Sequence, residues 1–340
     1  MSGPSNRPSG KRLRGAEGNE LPRPPGPSWI RRVMADNTPP PAPSKALVFA
    51  RRSASTLFLW GLVTAIFLSG WSWAMLALIG VLTLVATVEY FRMLRCAGVK
   101  CYPCFGIALA TLYSLGIYSV FMKGGNEVPA GVDSIAVFLA ITGPFILQLR
   151  HPIRGFEPLQ AVAVSLLGFV YIALLFNFTA RVTFLAPGAG EVPGMVGKSG
   201  ALLLLWLLAV TKFTDMGAYI TGSMLGRHKM IPHISPAKTW EGFGGALVFA
   251  QLAGCGLYAL FPQDLAFFTS WGHVVFLSLI LAVLAVVGDL AESIVKRSLD
   301  AKDSGRILPG IGGSLDLIDS ICFTAPALYF YLKWVLLPAA

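Results

Sequence analysis

"WGHVVFLSLILAVLAVVGDLAESIVKRSLDAKDSGRILPGIGGSLDLIDS", residues 271–320, is apolar over its first third and increasingly charged over the remainder. Residues 288–320 contain six Asp and Glu and four Lys and Arg, in a chain that is 55% hydrophobic and only 13% charged. An apolar run of about 20 residues is long enough to cross a bilayer as a helix. The stretch therefore predicts a transmembrane helix that carries charged side chains at one end.

The rest of the chain repeats this pattern and predicts an all-α polytopic membrane protein with about nine transmembrane helices. A hydrophobic content of 55% lies outside the usual range of a soluble domain. The predicted windows are 55–70, 72–91, 103–121, 132–149, 160–178, 201–223, 242–261, 271–289 and 320–338.

The composition divides the chain into three regions. Residues 1–44 contain 10 of the 23 prolines and no apolar periodicity, which predicts a disordered cytoplasmic tail rich in Pro and Arg. Residues 45–199 have few polar side chains within their windows and are predicted to form a transmembrane scaffold. Residues 200–340 place polar groups at membrane depth, so we expect them to form the catalytic transmembrane region with cytoplasmic motif loops.

The basic residues predict the orientation of the helices. Of the 27 Lys and Arg residues, 22 lie in residues 1–54 or in the loops after the second, fourth, sixth and eighth windows. Because positively charged loops stay in the cytoplasm, we expect a cytoplasmic N-terminus and a C-terminus on the outside. The net charge of +10 is then a topology signal, and no nucleic acid is needed as a partner.

The sixth window carries polar groups along one helical stripe. Lys212, Asp215 and Tyr219 are spaced by three and four residues and share this stripe with two glycines. Small residues at these positions would let a ligand or another backbone come close. The alternative is a Lys212–Asp215 pair that only satisfies itself inside the bundle.

The segment "HISPAKTWEGFGGA", residues 233–246, offers hydroxyl and ammonium groups before a glycine-rich helix start. Ser235 and Lys238, together with backbone N–H groups at the helix start, could hold a phosphate. The alternative is that Ser235 caps a turn and that Lys238 is a topology charge.

The charged part of residues 271–320 places carboxylates at two helix ends. Polar positions follow helical spacing at Asp289, Glu292, Ser293 and Lys296, and again at Asp316, Asp319 and Ser320. Between them, "LPGIGG", residues 308–313, predicts a tight turn. Carboxylates surrounded by Lys and Arg suit a hard divalent cation and the phosphate oxygens that it bridges. The alternative is a structural ion-pair network at the membrane interface.

Three ordered motifs resemble the phosphatidate cytidylyltransferase (CDP-diacylglycerol synthase) family. The strongest is "SIVKRSLDAKDSGRILPGIGGSLDLIDS", residues 293–320, and it follows "AYITGSMLGRHK", residues 218–229, and "ISPAKTWEGFGG", residues 234–245. The family pattern runs S-x-x-K-R-x4-K-D-x-G, then P-G-x-G-G, then an aspartate-rich helix start. Residues 1–100 match only as generic membrane helix.

The resemblance implies transfer of a cytidylyl group from CTP to phosphatidate, giving CDP-diacylglycerol and pyrophosphate for phospholipid biosynthesis. It implies Mg²⁺ as the cofactor, with a second cation such as K⁺, and it suggests a homodimer. It also implies an integral protein of a bacterial inner (plasma) membrane, with the active site facing the cytoplasm.

The resemblance assigns roles to individual residues. Asp289 and Asp316 would hold the metal. Lys296, Arg297 and Lys302 would shield the charge of the phosphates. Ser293 and Asp303 would orient the phosphates. Ser235 and Lys238 would lie over the phosphates. The groups that shape the site would be Asp215 and Tyr219, at the lipid headgroup, and Gly312 and Gly313, in the tight turn. The predicted catalytic residues are Asp289, Asp316, Lys296 and Asp303.

Two positions depart from the family pattern. Ile311 and Leu317 stand where the family usually has His and Arg, and neither side chain can donate a hydrogen bond or carry charge. One alternative function is therefore a low-activity paralogue that binds lipid or nucleotide. Another is a membrane transporter with an Asp215–Lys212 relay, although a transporter predicts matching polar positions in two repeats and here they cluster in one half.

Overall fold

The computed structural model describes residues 61–67, 69–153, 155–186, 192, 194–301, 304–305 and 312–337. Within these residues the protein is a bundle of long helices, and eight helical segments are long and apolar enough to cross a membrane. The predicted all-α polytopic fold is confirmed. The predicted tail, residues 1–44, and residues 55–60 and 68 of the first predicted window lie outside the described residues.

The first half of the bundle follows the predicted windows. Its helices are α1 (Ser72–Cys96), α2 (Pro103–Met122), α3 (Ala130–Gln148), α4 (Glu157–Gly168) and α5 (Phe178–Leu185). A π-helical turn, Phe169–Leu174, continues α4, and together with α5 the three form one apolar span from Glu157 to Leu185. This span is longer than the predicted fifth window because apolar residues continue past its expected end.

The second half contains the segments that carry the motifs. In chain order they are α6 (Lys198–Leu225), β1 (Lys229–Ile231), β2 (Ser235–Thr239), α7 (Trp240–Leu260), α8 (Trp271–Ser298) and α9 (Ser314–Tyr331). The two strands form an antiparallel hairpin between α6 and α7. Helices α8 and α9 extend beyond the predicted windows into the charged residues, because those residues pair with one another between the helices.

An ion pair between a buried arginine and a partly buried aspartate secures the first half of the bundle. Arg181 on α5 is 5% exposed and donates a hydrogen bond of 2.9 Å to the carboxylate of Asp133 at the start of α3. The hydroxyl of Tyr113 donates to the same carboxylate at 2.8 Å. A buried charge is tolerated when it is paired and hydrogen-bonded in this way. The pair therefore has a structural role in the predicted scaffold.

Glycines bring α6 and α7 into close contact. A Cβ at Gly245 would lie 1.9 Å from Thr221 Oγ1, and one at Gly217 would lie 2.7 Å from the carbonyl oxygen of Gly245. Small residues at such positions let two membrane helices pack backbone to backbone. The close contact fixes the hairpin that joins these two helices.

We expect Gly245→Ala to destabilise the protein by about 1–3 kcal/mol, because the added methyl group overpacks the α6–α7 contact. The matched control is Gly244→Ala, where a Cβ meets nothing within 4 Å. Alanine favours a helix interior over glycine, so the control should be neutral or stabilising. Thermal denaturation in detergent measures both variants, and equal midpoints would contradict the packing role of Gly245.

Candidate active site

Three carboxylates from α8 and α9 converge inside the bundle. One oxygen from each of Asp289, Glu292 and Asp319 lies within 4.8 Å of the other two. Glu292 is 1% exposed and Asp319 is 5% exposed, whereas Asp289 is partly exposed. Like charges held this close and this deep require cations or protons nearby, since water cannot screen their repulsion.

Gly288 makes this convergence sterically feasible. A Cβ at this position would lie 2.8 Å from the carbonyl oxygen of Asp319 and 2.9 Å from the Cα of Ser320. The backbones of α8 and α9 therefore touch next to Asp289. This contact brings side chains from both helices within reach of a single ion.

Lys296 joins two acidic groups at the end of the same polar face. Its Nζ lies 2.6 Å from a carboxylate oxygen of Glu292 and 2.8 Å from Asp316 Oδ1. The other carboxylate oxygen of Asp316 accepts the Gly313 N–H at 2.9 Å. Gly312 adopts a φ of +112°, a conformation that favours glycine. The turn before α9 is thus linked to α8 through Asp316 and Lys296.

The hairpin supplies a second lysine. Lys238 on β2 forms an ion pair with Asp289 on α8. The Thr239 hydroxyl caps α7 by accepting a backbone N–H of its first turn at 3.1 Å. The Glu241 carboxylate accepts the backbone N–H groups of residues 227–228, just before β1. Both ends of the hairpin are held to the start of α7, which directs Lys238 toward α8.

A cavity of about 620 Å³ opens onto these groups. Four aspartates and two lysines line it, which leaves a formal surplus of two negative charges. Its ionisable and hydroxyl-bearing lining residues are Asp215, Tyr219, Ser223, Lys229, Ser235, Lys238, Thr239, Asp289, Asp316, Asp319 and Ser320. The cavity suits a ligand in which a cation accompanies phosphate groups.

Helix α6 contributes the polar stripe predicted from the sequence. Asp215 and Tyr219 line the cavity, and Tyr219 is 77% exposed at its outer edge. Lys212 lies 3.6 Å from Asp215 and donates to the carbonyl oxygen of Leu317 on α9 at 3.0 Å. The Lys212–Asp215 pair expected as a structural alternative is present, and it lies beside the cavity.

The structure brings together many of the predicted site residues. Six of them line the cavity: Asp215, Tyr219, Ser235, Lys238, Asp289 and Asp316. Lys296 and the Gly312–Gly313 turn contact Asp316.

Other predicted residues do not join this group. Ser293 is partly buried, Arg297 is exposed, and neither lines the cavity. Lys302 and Asp303 lie outside the described residues, as does Ile311, so their roles stay predictions.

The predicted metal ligands, Asp289 and Asp316, occupy different surroundings. Asp289 belongs to the three-carboxylate group, whereas Asp316 lies on the cavity wall and is engaged by Lys296 and by the Gly313 N–H. Glu292 and Asp319 are therefore the candidate ligands beside Asp289. Their helical spacing had placed them on the two polar faces with the carboxylates predicted to suit a cation, but the metal was assigned to Asp289 and Asp316.

Sequence reasoning also missed Glu89 on α1. This residue is 1% exposed and its carboxylate accepts the backbone N–H of Leu315 on α9 at 3.0 Å. An isolated acidic residue within an apolar window was the available signal, since such residues are costly in a membrane unless they have a partner.

The fold and the site together define a class: a polytopic membrane protein with an acidic, lysine-lined cavity where helices α6 to α9 meet. The described residues combine lysine cations with a carboxylate group that suits a metal ion. This combination is typical of enzymes that act on phosphates.

The sequence profile of the cytidylyltransferase family matches residues 50–335. The chain is 31% identical to the phosphatidate cytidylyltransferase of Bacillus subtilis (strain 168) over 248 residues, 73% of this chain and 84% of that protein. It is 33% identical to the phosphatidate cytidylyltransferase of Mycobacterium bovis, with coverage of 75% and 79%. The chain therefore belongs to the cytidylyltransferase family, and the predicted resemblance to CDP-diacylglycerol synthases is confirmed.

Another relative has a higher identity over a shorter part of the chain. A phosphatidate cytidylyltransferase of Brucella suis is 45% identical over 132 residues, which cover 39% of this chain and 47% of that protein.

We expect Lys296→Met to destabilise the protein by about 3–5 kcal/mol, because it leaves the buried carboxylate of Glu292 without its cation. The matched control is Arg297→Met at the exposed neighbouring position, which should change stability by about 0.5 kcal/mol or less. Thermal denaturation in detergent compares the two. A Lys296→Met protein as stable as the control would contradict the bridging role of Lys296.

Proposed function

We propose that the protein transfers a cytidylyl group from CTP to phosphatidate, forming CDP-diacylglycerol and pyrophosphate for phospholipid biosynthesis. The observation that carries this proposal is the meeting of three carboxylates with Lys238 and Lys296 beside the cavity, in a membrane enzyme of the cytidylyltransferase family. The names of the Bacillus and Mycobacterium relatives support the pair of substrates.

We also propose Mg²⁺ as the cofactor, held by Asp289, Glu292 and Asp319. The three side chains fit such an ion because they offer hard oxygen ligands within 4.8 Å of one another. Glu292 Oε1 is buried and has no hydrogen-bond partner among the described residues, so one lone pair remains to be satisfied. A bound cation would supply charge neutralisation for phosphate oxygens. A second cation such as K⁺ stays a prediction.

The lysines and hydroxyl of the hairpin are placed to bind the triphosphate. Lys229, Lys238 and Ser235 all line the cavity, so cationic and hydroxyl donors lie on the side of the hairpin that faces the carboxylates. Charge-assisted hydrogen bonds to phosphate oxygens are stronger than neutral ones. In the same site, Asp316 holds the Lys296 ammonium, which in turn keeps Glu292 in position.

In the proposed reaction, a phosphate oxygen of phosphatidate attacks the α-phosphorus of CTP. A P–O bond forms between the two phosphates, and the bond from the α-phosphorus to the oxygen that bridges to the β-phosphate breaks. Pyrophosphate leaves with that electron pair. Because the nucleophile is already an anion, the protein need not remove a proton; it must hold two anions together and neutralise their charge.

We place the cavity on the cytoplasmic side of a bacterial inner membrane. The loops after the sixth and eighth windows, whose described residues include part of the cavity lining, belong to the set that contains 22 of the 27 Lys and Arg residues. The matching relatives from Bacillus and Mycobacterium are bacterial proteins. The lipid headgroup would enter past Asp215 and Tyr219, which lie on the cavity lining contributed by α6.

We expect wild-type membranes to convert labelled CTP and phosphatidate into CDP-diacylglycerol, and Asp289→Asn to lower the rate at least about 100-fold, because the substitution weakens the charge that gathers the cation. The matched control is Asp264→Asn, between α7 and α8, whose partner Lys198 is 72% exposed. Exposed pairs contribute little, so the control should retain full activity. Wild-type protein that is folded but forms no product would reject the proposed reaction and favour the low-activity paralogue.

The cation proposal has a test that does not depend on turnover. Mg²⁺ should raise the thermal denaturation midpoint of the wild-type protein in detergent, since an ion that binds only the folded state stabilises it. The shift should disappear in Asp319→Asn and persist in Asp264→Asn. Equal shifts in all three proteins would contradict the assignment of this carboxylate group, and EDTA should abolish product formation by the wild type.

A further inference from the structure

Glu89 connects the N-terminal half of the bundle to the motif that precedes α9. It belongs to the apolar helix α1, and its side chain is 1% exposed. Glu89 Oε2 accepts the N–H of Leu315 at 3.0 Å, in the first turn of α9. An acidic side chain placed at this depth is costly unless specific groups stabilise it. The contact with α9 is therefore the feature that accounts for its presence.

Residues 304–305 and 312–315 flank the 306–311 segment, here called the motif loop, and both flanks pack on the same carboxylate. A Cβ at Gly305 would lie 2.2 Å from Glu89 Oε1, and a Cβ at Gly313 would lie 2.9 Å from Glu89 Oε2. The two flanks also meet each other, since the Gly313 Cβ would lie 1.9 Å from Ser304 Oγ. Residues separated by the 306–311 segment are thus gathered around one carboxylate.

Two buried atoms of this cluster have no partner among the described residues. They are Glu89 Oε1 and Ser304 Oγ, and the Ser304 residue is only 4% exposed. An ionisable side chain that is fully buried and half satisfied is unusual for a group that only fills space. Because Gly305 packs against Glu89 Oε1, this oxygen faces the flank at residues 304–305.

The contact leads directly to the cavity. Leu315, which donates to Glu89, is followed by Asp316, and the Asp316 carboxylate binds both the Gly313 N–H and Lys296. Lys296 also holds Glu292 of the three-carboxylate group. A displacement at Glu89 would therefore move Asp316 on the cavity wall and the Lys296 ammonium that Asp316 binds.

We propose that Glu89 is a positioning residue that clamps both flanks of the motif loop onto the start of α9 and so sets the placement of Asp316 and Lys296. Its consequence for catalysis rests on the proposed cytidylyl transfer. Its consequence for the loop does not, because the clamp exists without substrate.

Hydrogen exchange tests the clamp without any substrate. In Glu89→Ala, the exchange rate of the peptide that covers residues 304–316 should rise at least about 10-fold, because the Leu315 N–H loses its acceptor. Glu89→Gln keeps an acceptor oxygen and should stay close to the wild type. The matched control is Thr87→Val on the same helix, since Thr87 is also fully buried but, among the described residues, its hydroxyl bonds within α1. Unchanged exchange in Glu89→Ala would overturn the proposal.

Kinetics then separate positioning from general loss of structure. Glu89→Ala should raise the KM for CTP about 10-fold and lower kcat/KM by about 10- to 100-fold per folded enzyme, with the KM for phosphatidate unchanged, since small displacements of catalytic groups have effects of this size. Glu89→Gln should recover most of the activity. A purely structural role would lower the amount of active enzyme and leave the KM for CTP unchanged, which would contradict the proposal.

The two tests distinguish failure of this inference from failure of the proposed function. If the wild type does not form CDP-diacylglycerol but Glu89→Ala still frees the 304–316 peptide, the reaction is wrong and the clamp stands. If the wild type is active and Glu89→Ala matches it in both measurements, the clamp is wrong and the reaction stands.

Discussion

The pairing of buried charges controls the organisation of this membrane protein. A carboxylate inside an apolar bundle is unstable unless a cation or several hydrogen-bond donors face it. Glu292 and Asp319 are nearly inaccessible and lie close to a third carboxylate, so the surrounding elements must deliver cations to them. Lys296, from the same helix as Glu292, pairs with that carboxylate, whereas Lys238, from the hairpin, pairs with the third carboxylate, Asp289. The short β-hairpin therefore brings a cation to the carboxylate group from outside α8 and α9.

The coarse architecture was predictable from the sequence because membrane-spanning helices have a strong local signal. Apolar length alone located the spans, and helical spacing placed Asp289 and Asp316 on polar faces that lie in the same site. The ends of α8 and α9 were less predictable, since hydropathy falls where the charged residues begin, although the helices continue. The charged turns at these helix ends remain helical because their side chains pair with one another between α8 and α9, as Lys296 does with Asp316.

The parts of the site that could not be predicted from the sequence depend on contacts between residues that lie far apart in the chain. Glu89 and Leu315 are 226 positions apart, and no periodicity links a lone acid in an apolar helix to a turn near the other end of the chain. The choice between Asp316 and Asp319 as a partner of Asp289 likewise depends on how α8 and α9 approach at Gly288. The predicted separation into scaffold and catalytic regions describes the composition well, but a side chain from α1 contributes directly to the motif.

The length of α8 determines where the proposed chemistry takes place. Its 28 residues extend about 42 Å, well beyond the roughly 30 Å of hydrocarbon in a bilayer. Asp289 lies about 27 Å along this helix from Trp271, an aromatic residue of the kind that marks the opposite boundary of the membrane. The carboxylates would then lie at the level of the lipid headgroups in the leaflet opposite to Trp271. A lipid could present its phosphate there while its acyl chains stay in the hydrocarbon core of the bilayer. The lipid product could then diffuse away within the membrane without leaving it.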